Sequence, residues 1–496
     1  MAPDTERRAG AVRDRGRRRD HGRSGRPFGI VWAGISCMAA LAPAGCNLAP
    51  DYHKPAQPVL PVTFRESGPW TPVSPTPPST RADWWTVMGD ARLNALEARI
   101  EHGSPQLAAA VARYDQARAM VRRARSEFFP QIDASSSAVR ERTLFLQTGS
   151  YFDYRNYATG GTVSWEPDLW GRIRNLVSAA RSQAQASADD VAAMRLSLEA
   201  ELGDDYFHIC GLDARIDVLR RTASAYEAAL HLTTDRFTGG AASELDVGRA
   251  KTQLASVQSQ LEQQVADRAL VEHAIAVLIG EEPTTFSLPP HDMSDVVPVI
   301  PVVAPSALLQ RRPDVAAAER RMAAANARIG VARAAFFPNI NLGASGGSET
   351  TVSTLLSAGS GVWALGPALA TLAIFDGGRR FADLAAMHAA YAEGAANYRQ
   401  TALHAFQEVE DQLALLNHLA DATTRQAEAV TAAARTDQLA SIQYREGAVD
   451  YLQVVIAQTA ELQAREDMIT LLTRRRIAGI DLVRAMGGGW QAGRKT

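Results

Sequence analysis

The residue types that could do chemistry are sparse in this chain and mostly lack partners. Its ten histidines form no His-Glu-x-x-His pair that would hold zinc, and no Gly-x-x-x-x-Gly-Lys-Ser/Thr loop is present to cradle a phosphate. No nucleophile elbow is expected. Of the three cysteines, Cys37 lies inside an apolar N-terminal run and Cys210 lies among apolar heptad positions, so no disulfide framework is expected and Cys210 reads as buried packing. Cys46 has a chemical context of its own. Arginines at 7, 8, 13, 15, 17, 18, 19, 23 and 26 precede the apolar run Phe28 to Leu41, and Ala42, Ala44 and Gly45 lead on to Cys46. Residues 1–45 therefore read as a secretory signal, too short for a membrane helix, which needs about 20 apolar residues. Ala44-Gly45-Cys46 has the ending of a bacterial lipobox, although Pro43 departs from the usual branched aliphatic residue, and lipidation of Cys46 is expected. Asn47 follows in place of the aspartate that retains lipoproteins at the inner membrane, which points outward.

Apart from that lipid, no cofactor and no metal are expected. Lys+Arg at 52 against Asp+Glu at 54 leave no nucleic-acid footprint. With no nucleotide site the chain reads as no enzyme, so any transport through it must be passive and energised by an inner-membrane partner.

The elements that carry the chain are used twice. Ser126-Glu127-Phe128-Phe129-Pro130-Gln131-Ile132 returns 208 residues later as Ala334-Ala335-Phe336-Phe337-Pro338-Asn339-Ile340, and Arg236-Phe237-Thr238-Gly239-Gly240-Ala241 meets Gln443-Tyr444-Arg445-Glu446-Gly447-Ala448 at an offset of 207. The mature protein is thus a unit of roughly two hundred residues repeated. No proline occurs between Trp170 and Phe237, and Leu202, Ile209, Ile216, Ala223, Leu230 and Phe237 fall at seven-residue intervals. Sustained heptads predict supercoiled helices, and some sixty-five helical residues reach roughly 100 Å. Each such helix turns at a glycine, Gly239-Gly240 or Gly447, and returns.

After each Phe-Phe-Pro the period changes to two. Strands are predicted at about 131–145, 156–168, 338–346 and 361–374, each with one apolar and one polar face. That is the pattern of a transmembrane barrel with a wet lumen. The junction aromatics Phe128, Phe129, Trp170, Phe336, Phe337 and Phe375 would form one interfacial girdle. Four strands cannot close in lipid, so several chains must share the barrel, and eight, twelve or sixteen strands all remain open.

The sequence resembles the TolC-like outer-membrane factors, in the lipoprotein branch with OprM-like and NodT-like proteins. The resemblance rests on Ala49-Pro50-Asp51-Tyr52, on Trp165-Glu166-Pro167-Asp168-Leu169-Trp170-Gly171-Arg172 and on Leu309-Gln310-Arg311-Arg312-Pro313-Asp314-Val315. Ile329-Gly330-Val331-Ala332 and Phe375-Asp376-Gly377-Gly378-Arg379 extend it. It implies a mainly α protein with a membrane β part: a homotrimer with a twelve-stranded outer-membrane β-barrel, four strands per chain, continued by a periplasmic α-helical barrel. It also implies a small-molecule efflux duct for drugs and toxic compounds, with a periplasmic adaptor (membrane fusion) protein and an inner-membrane RND transporter as partners. By resemblance Asp246, Tyr444, Asp450, Leu452 and Gln453 stand at the periplasmic gate, with Ile456 where many relatives have aspartate. Gly239, Gly240, Ala241, Gly447 and Ala448 stand at the tips that receive the adaptor.

The expected organisation is a signal over 1–45, a lipidated extended strap over 46–82 that forms no core, and a first repeat over 83–285. A linker over 286–305, a second repeat over 306–487 and a tail over 488–496 follow. Two rival readings are a duct for protein secretion with an ABC transporter and a lipid-anchored periplasmic coiled coil.

Overall fold

The structure, a computed structural model, describes residues 47–54, 64–66, 83–145, 149–291, 305–350 and 360–489. The signal, Cys46, most of the strap and the end of the tail lie outside the described residues. A 3-10 turn at Trp84–Met88 is followed by α1 (Ala91–Gly103), α2 (Pro105–Ser126), β1 (Gln131–Phe145), β2 (Ser150–Trp165), α3 (Arg172–Thr238) and α4 (Glu244–Leu278). The same order then returns in α5 (Pro305–Arg311), α6 (Pro313–Ala334), β3 (Asn339–Thr350), β4 (Ser360–Thr371), α7 (Arg379–Glu446) and α8 (Tyr451–Ala485).

The two long helices, 67 and 68 residues, are flanked by shorter ones: α2, α4, α6 and α8 pack beside α3, and α6 and α8 beside α7. At 1.5 Å per residue each long helix runs about 100 Å. Prolines start the flanking helices where a missing N–H costs nothing: Pro105 follows the Ser104 N-cap, and Pro313 opens α6. The heptads pack as their period requires near the middle of α3, with Leu202, Ile209 and Ile216 at 0 to 4% exposure. Towards the turn the burial fades, and Phe237 is 42% exposed. Cys210 is buried in the main core beside Tyr206 and Phe207, and burial pushes its thiol up to about 12. That agrees with a packing role and not with a nucleophile.

The strands form one antiparallel sheet in the order β1-β2-β3-β4. Four predicted limits move by three residues or more, one of them the end of β4, which stops at Thr371 and not at 374. β2 starts at Ser150, because Tyr151 to Arg155 find ladder partners on β1, and it stops at Trp165, because Pro167 has no donor to continue. β3 runs to Thr350 because Gly347 to Thr350 pair with β2. Pro367, which cannot join a ladder, sits at the β4 irregularity opposite Leu342 and Ala344.

The strap also differs from expectation. Leu48 and Pro50 accept hydrogen bonds from Arg333 and Asn326, and Tyr52 donates to Glu319, three α6 residues spaced by seven and so on one face of that helix. Its later part moves to α7, where the Glu410 carboxylate takes the Arg65 and Glu66 amides and Asn417 donates to the Glu66 carbonyl. Between these anchors Phe64 enters the main core at 5% exposure. An extended segment contributes to the core here because its backbone polar groups are satisfied by helix side chains, which frees one aromatic ring to be buried.

Candidate functional site

A barrel wall needs one greasy and one wet face, and the ladder registers supply them on β1 to β3, whereas β4 carries Val362, Ala364 and Leu369 on its second face. Ile132 pairs with Val163, Val163 with Ala344 and Ala344 with Leu365, an apolar row across all four strands. The next row, Asp133, Thr162, Ser345 and Ala364, faces the other way and is mostly polar. The apolar row is open at its two ends, where Ile132 is 75% and Leu365 87% exposed, and half-buried at Val163 and Ala344; Trp363 on the same face is 81% exposed. In the middle of the sheet Gly160 pairs with Gly347 and Gly161 with Gly346. A Cβ on Gly347 would fall 2.5 Å from the Thr159 carbonyl oxygen, so the backbones approach closely there. A hollow of about 270 Å³ lies over these glycines, lined by Ser135, Ser137, Thr162 and Ser345.

The spelling Gly-x-Ser-x-Gly does occur, at Gly343-Ala344-Ser345-Gly346-Gly347, which corrects the expectation from sequence. It lies inside β3 with no strand-to-helix turn after it, so it does not present a serine as an elbow does.

At the strand-to-helix junctions the quoted motifs show their physical purpose. Asp168 accepts from the Ile173 and Arg174 amides at 3.0 Å and pairs with the Arg174 guanidinium at 2.9 Å, capping α3. Asp376 repeats the device on α7 with the Gly378 and Arg380 amides and the Arg380 guanidinium at 2.6 Å. Arg172 grips Glu166 with two hydrogen bonds and reaches Glu127 with a third. Trp170 stacks on Phe337 at 4.9 Å and donates to the Pro338 carbonyl at 2.8 Å. Trp165, whose anchoring role the sequence did not reveal, donates to the Phe128 carbonyl at 3.0 Å. Of the other predicted girdle residues, Phe336 packs edge-on against Phe381, whereas Phe129 and Phe375 are open at 71% and 89% exposure.

Both helical turns share a small apolar cluster of Ala250, Ala440, Tyr444, Tyr451, Val454 and Ala457. Tyr444 leans on Tyr451 at 5.3 Å and donates its hydroxyl to Thr233 at 3.3 Å. Asp246 is held within its own helix by a capping box with Ser243 and by Arg249. Inside one chain, therefore, Asp246 and Tyr444 each bond elsewhere. Burial, with Tyr444 and Asp246 nearby, pushes the Tyr451 phenol up to about 12. Asp450 precedes α8 in an extended conformation, Leu452 is half-buried, and Gln453 is exposed. Gly240 and Gly447 adopt φ of 76° and 81°, which favours glycine. Gly239 does not need to be glycine, because its φ of −80° suits any residue, and this corrects its expected role in the turn.

Sequence reasoning missed Arg236. Its guanidinium donates to the carbonyls of Tyr444 and Arg445 at 2.6 and 3.2 Å and lies over the Tyr444 ring, so the first turn caps the C-terminus of α7. Carbonyl acceptors carry no sequence signature, and only the matched pair of turns could have hinted at it.

The profile of the outer membrane efflux protein family matches residues 98–281 and again 304–488. Outer membrane protein OprJ of Pseudomonas aeruginosa is 32% identical over 93% of this chain and 97% of its own length. The cation efflux system protein CusC of Escherichia coli O6:H1 is 30% identical over 91% and 97% respectively. Among solved structures, the outer-membrane channel OprN superposes with a TM-score of 0.82 at 28% identity, covering 90% of this chain and all of that one.

Proposed function

Because this chain belongs to the outer membrane efflux protein family, we propose that it is the exit duct of a tripartite pump, formed by three copies that share one twelve-stranded barrel. The supporting observation is the sheet itself: β1 and β4 are both open edges in one chain, while an apolar row runs across all four strands, exposed at Ile132 and Leu365 and half-buried at Val163 and Ala344. Unpaired strand edges cannot sit in hydrocarbon, so β1 of one copy pairs with β4 of the next until the circle closes. The helices α3, α4, α7 and α8 then continue the wall into the periplasm as a twelve-helix tunnel. Residues 83–285 and 306–487 are the two repeats, a division supported by the paired match to the family profile.

Lipid on Cys46 anchors each copy. The turns carry the mouth: Gly239, Gly240, Ala241, Gly447 and Ala448 receive the periplasmic adaptor, and Asp246, Tyr444, Asp450, Leu452 and Gln453 form the gate against a neighbouring hairpin. An RND transporter supplies energy and selects cargo, since one relative is named for cations and another for toluene. Deleting the gene should sensitise cells to small toxic compounds, with restoration by the intact chain. Loss of an exported protein with unchanged susceptibility would instead favour the secretion reading.

A further inference from the structure

The outward face of the first hairpin changes character beyond its apolar band. On that face β1 carries Ile132, Ala134 and Ala138 and then Arg140 and Arg142, while β2 carries Tyr157 and Val163 and, further out, Arg155. Arg140 and Arg155 are direct cross-strand partners, and both are exposed. Like charges placed opposite each other across a ladder repel, which makes this a costly arrangement on its own. Asp153 faces Arg142 one row further on, and Arg142 lies over the Tyr151 ring at 4.7 Å. Among the described residues neither Arg140 nor Arg155 has an ion pair. Among the described residues of the second hairpin at this end, the acid Glu349 lies on the lumen face and takes the Asn156 amide.

Height along the barrel supplies the second observation. Eight residues separate Ile132 from Arg140, and at about 3.3 Å per residue with a tilt near 40° this is a rise of roughly 20 Å. The apolar band of such a barrel is about 25 Å tall, so a pair that starts level with Ile132 at the helical side ends near the opposite rim. Two guanidinium groups side by side at that rim match a phosphate bidentately, and one phosphate between them would remove their repulsion.

We propose that Arg140 and Arg155, with Arg142 beside them, bind the phosphate groups of the phosphorylated lipid of the outer leaflet, lipopolysaccharide, once in each copy. This rests on the barrel reading above. The purified assembly is titrated in detergent with fluorescent lipopolysaccharide, and compared with R140Q/R155Q and the charge-preserving R140K/R155K. Each arginine lost should weaken binding about fivefold, so the double glutamine variant binds about 25-fold more weakly. The lysine variant, which keeps the charge and loses the bidentate fork, should bind more weakly than the original and more tightly than the glutamine variant, and the salt dependence should be shallower in the glutamine variant than in the original. Equal affinity in the glutamine variant would overturn the proposal. So would displacement of the lipid by millimolar inorganic phosphate, which would mean a free-anion site. Insertion into neutral phosphatidylcholine vesicles, measured as conductance, is read separately. If the original chain fails to insert, the barrel itself is wrong, whereas insertion without lipid preference removes only the arginine site.

Discussion

The two ends of the long helices are built differently. At the strand end every junction is fastened several times: an aspartate caps each long helix and grips an arginine one turn in, and two indoles clasp the neighbouring chain segments. At the turn end the apolar heptads run out, Phe237 is exposed, and the hairpins are joined by a six-residue cluster, the Arg236 guanidinium and the Tyr444 to Thr233 hydrogen bond. A duct that opens at one mouth while staying sealed in its membrane requires this asymmetry. The firmly held end maintains the wall, and the lightly held end can move at small free-energy cost.

Substitutions at the two ends should separate these roles. Trp170→Ala removes a ring stack and a part-buried hydrogen bond and should destabilise each chain by about 2 kcal/mol, read as a lower melting temperature of the assembly. Arg236→Ala should cost only about 1 kcal/mol and leave melting nearly unchanged, but should raise single-channel conductance. A large loss of stability from Arg236→Ala, with unchanged conductance, would erase the distinction. Asp246→Ala removes the capping box, a loss of about 1 kcal/mol, and should also raise conductance, since the α4 start frays at the mouth. Gly447→Ala should cost about 1 kcal/mol because of its positive φ, whereas Gly239→Ala should be silent in the same melting experiment.

The main core, between the two ends, also titrates. Glu97, at 2% exposure with neither carboxyl oxygen bonded, is pushed far above the carboxylate range by burial and by Glu199. Burial raises Glu199 to about 7, against the lowering effect of its hydrogen bond from Trp84. Because the folded state holds these protons more tightly than the unfolded one, stability should fall as pH rises above the ordinary glutamate value, through about 7 for Glu199 and on to about 10 for Glu97. Glu199→Gln should make that dependence shallower and leave the Glu97 part, checked by melting between pH 5 and pH 8.

Much of this was legible in the chain. Each Phe-Phe-Pro announced a change of period, since proline ends a helix and alternation reads as a strand, and the long helices followed from heptads free of proline. Strand limits were harder to read, because Ser150 to Arg155 and Gly347 to Thr350 belong to the ladder through their partners and not through their own pattern. Asp168 and Asp376 were visible as motif residues, but their capping required coordinates. Arg236 was invisible because its acceptors are carbonyls 208 and 209 residues away. The strap misled through composition: its prolines predicted an extended run, yet nothing in them revealed that Phe64 would be buried.

The most direct test is to purify the mature protein in detergent, measure the mass of the assembly, and record its conductance in a planar bilayer. Three chains per particle and discrete ion-conducting steps are expected, whereas monomers or particles that never conduct would contradict a barrel shared between copies.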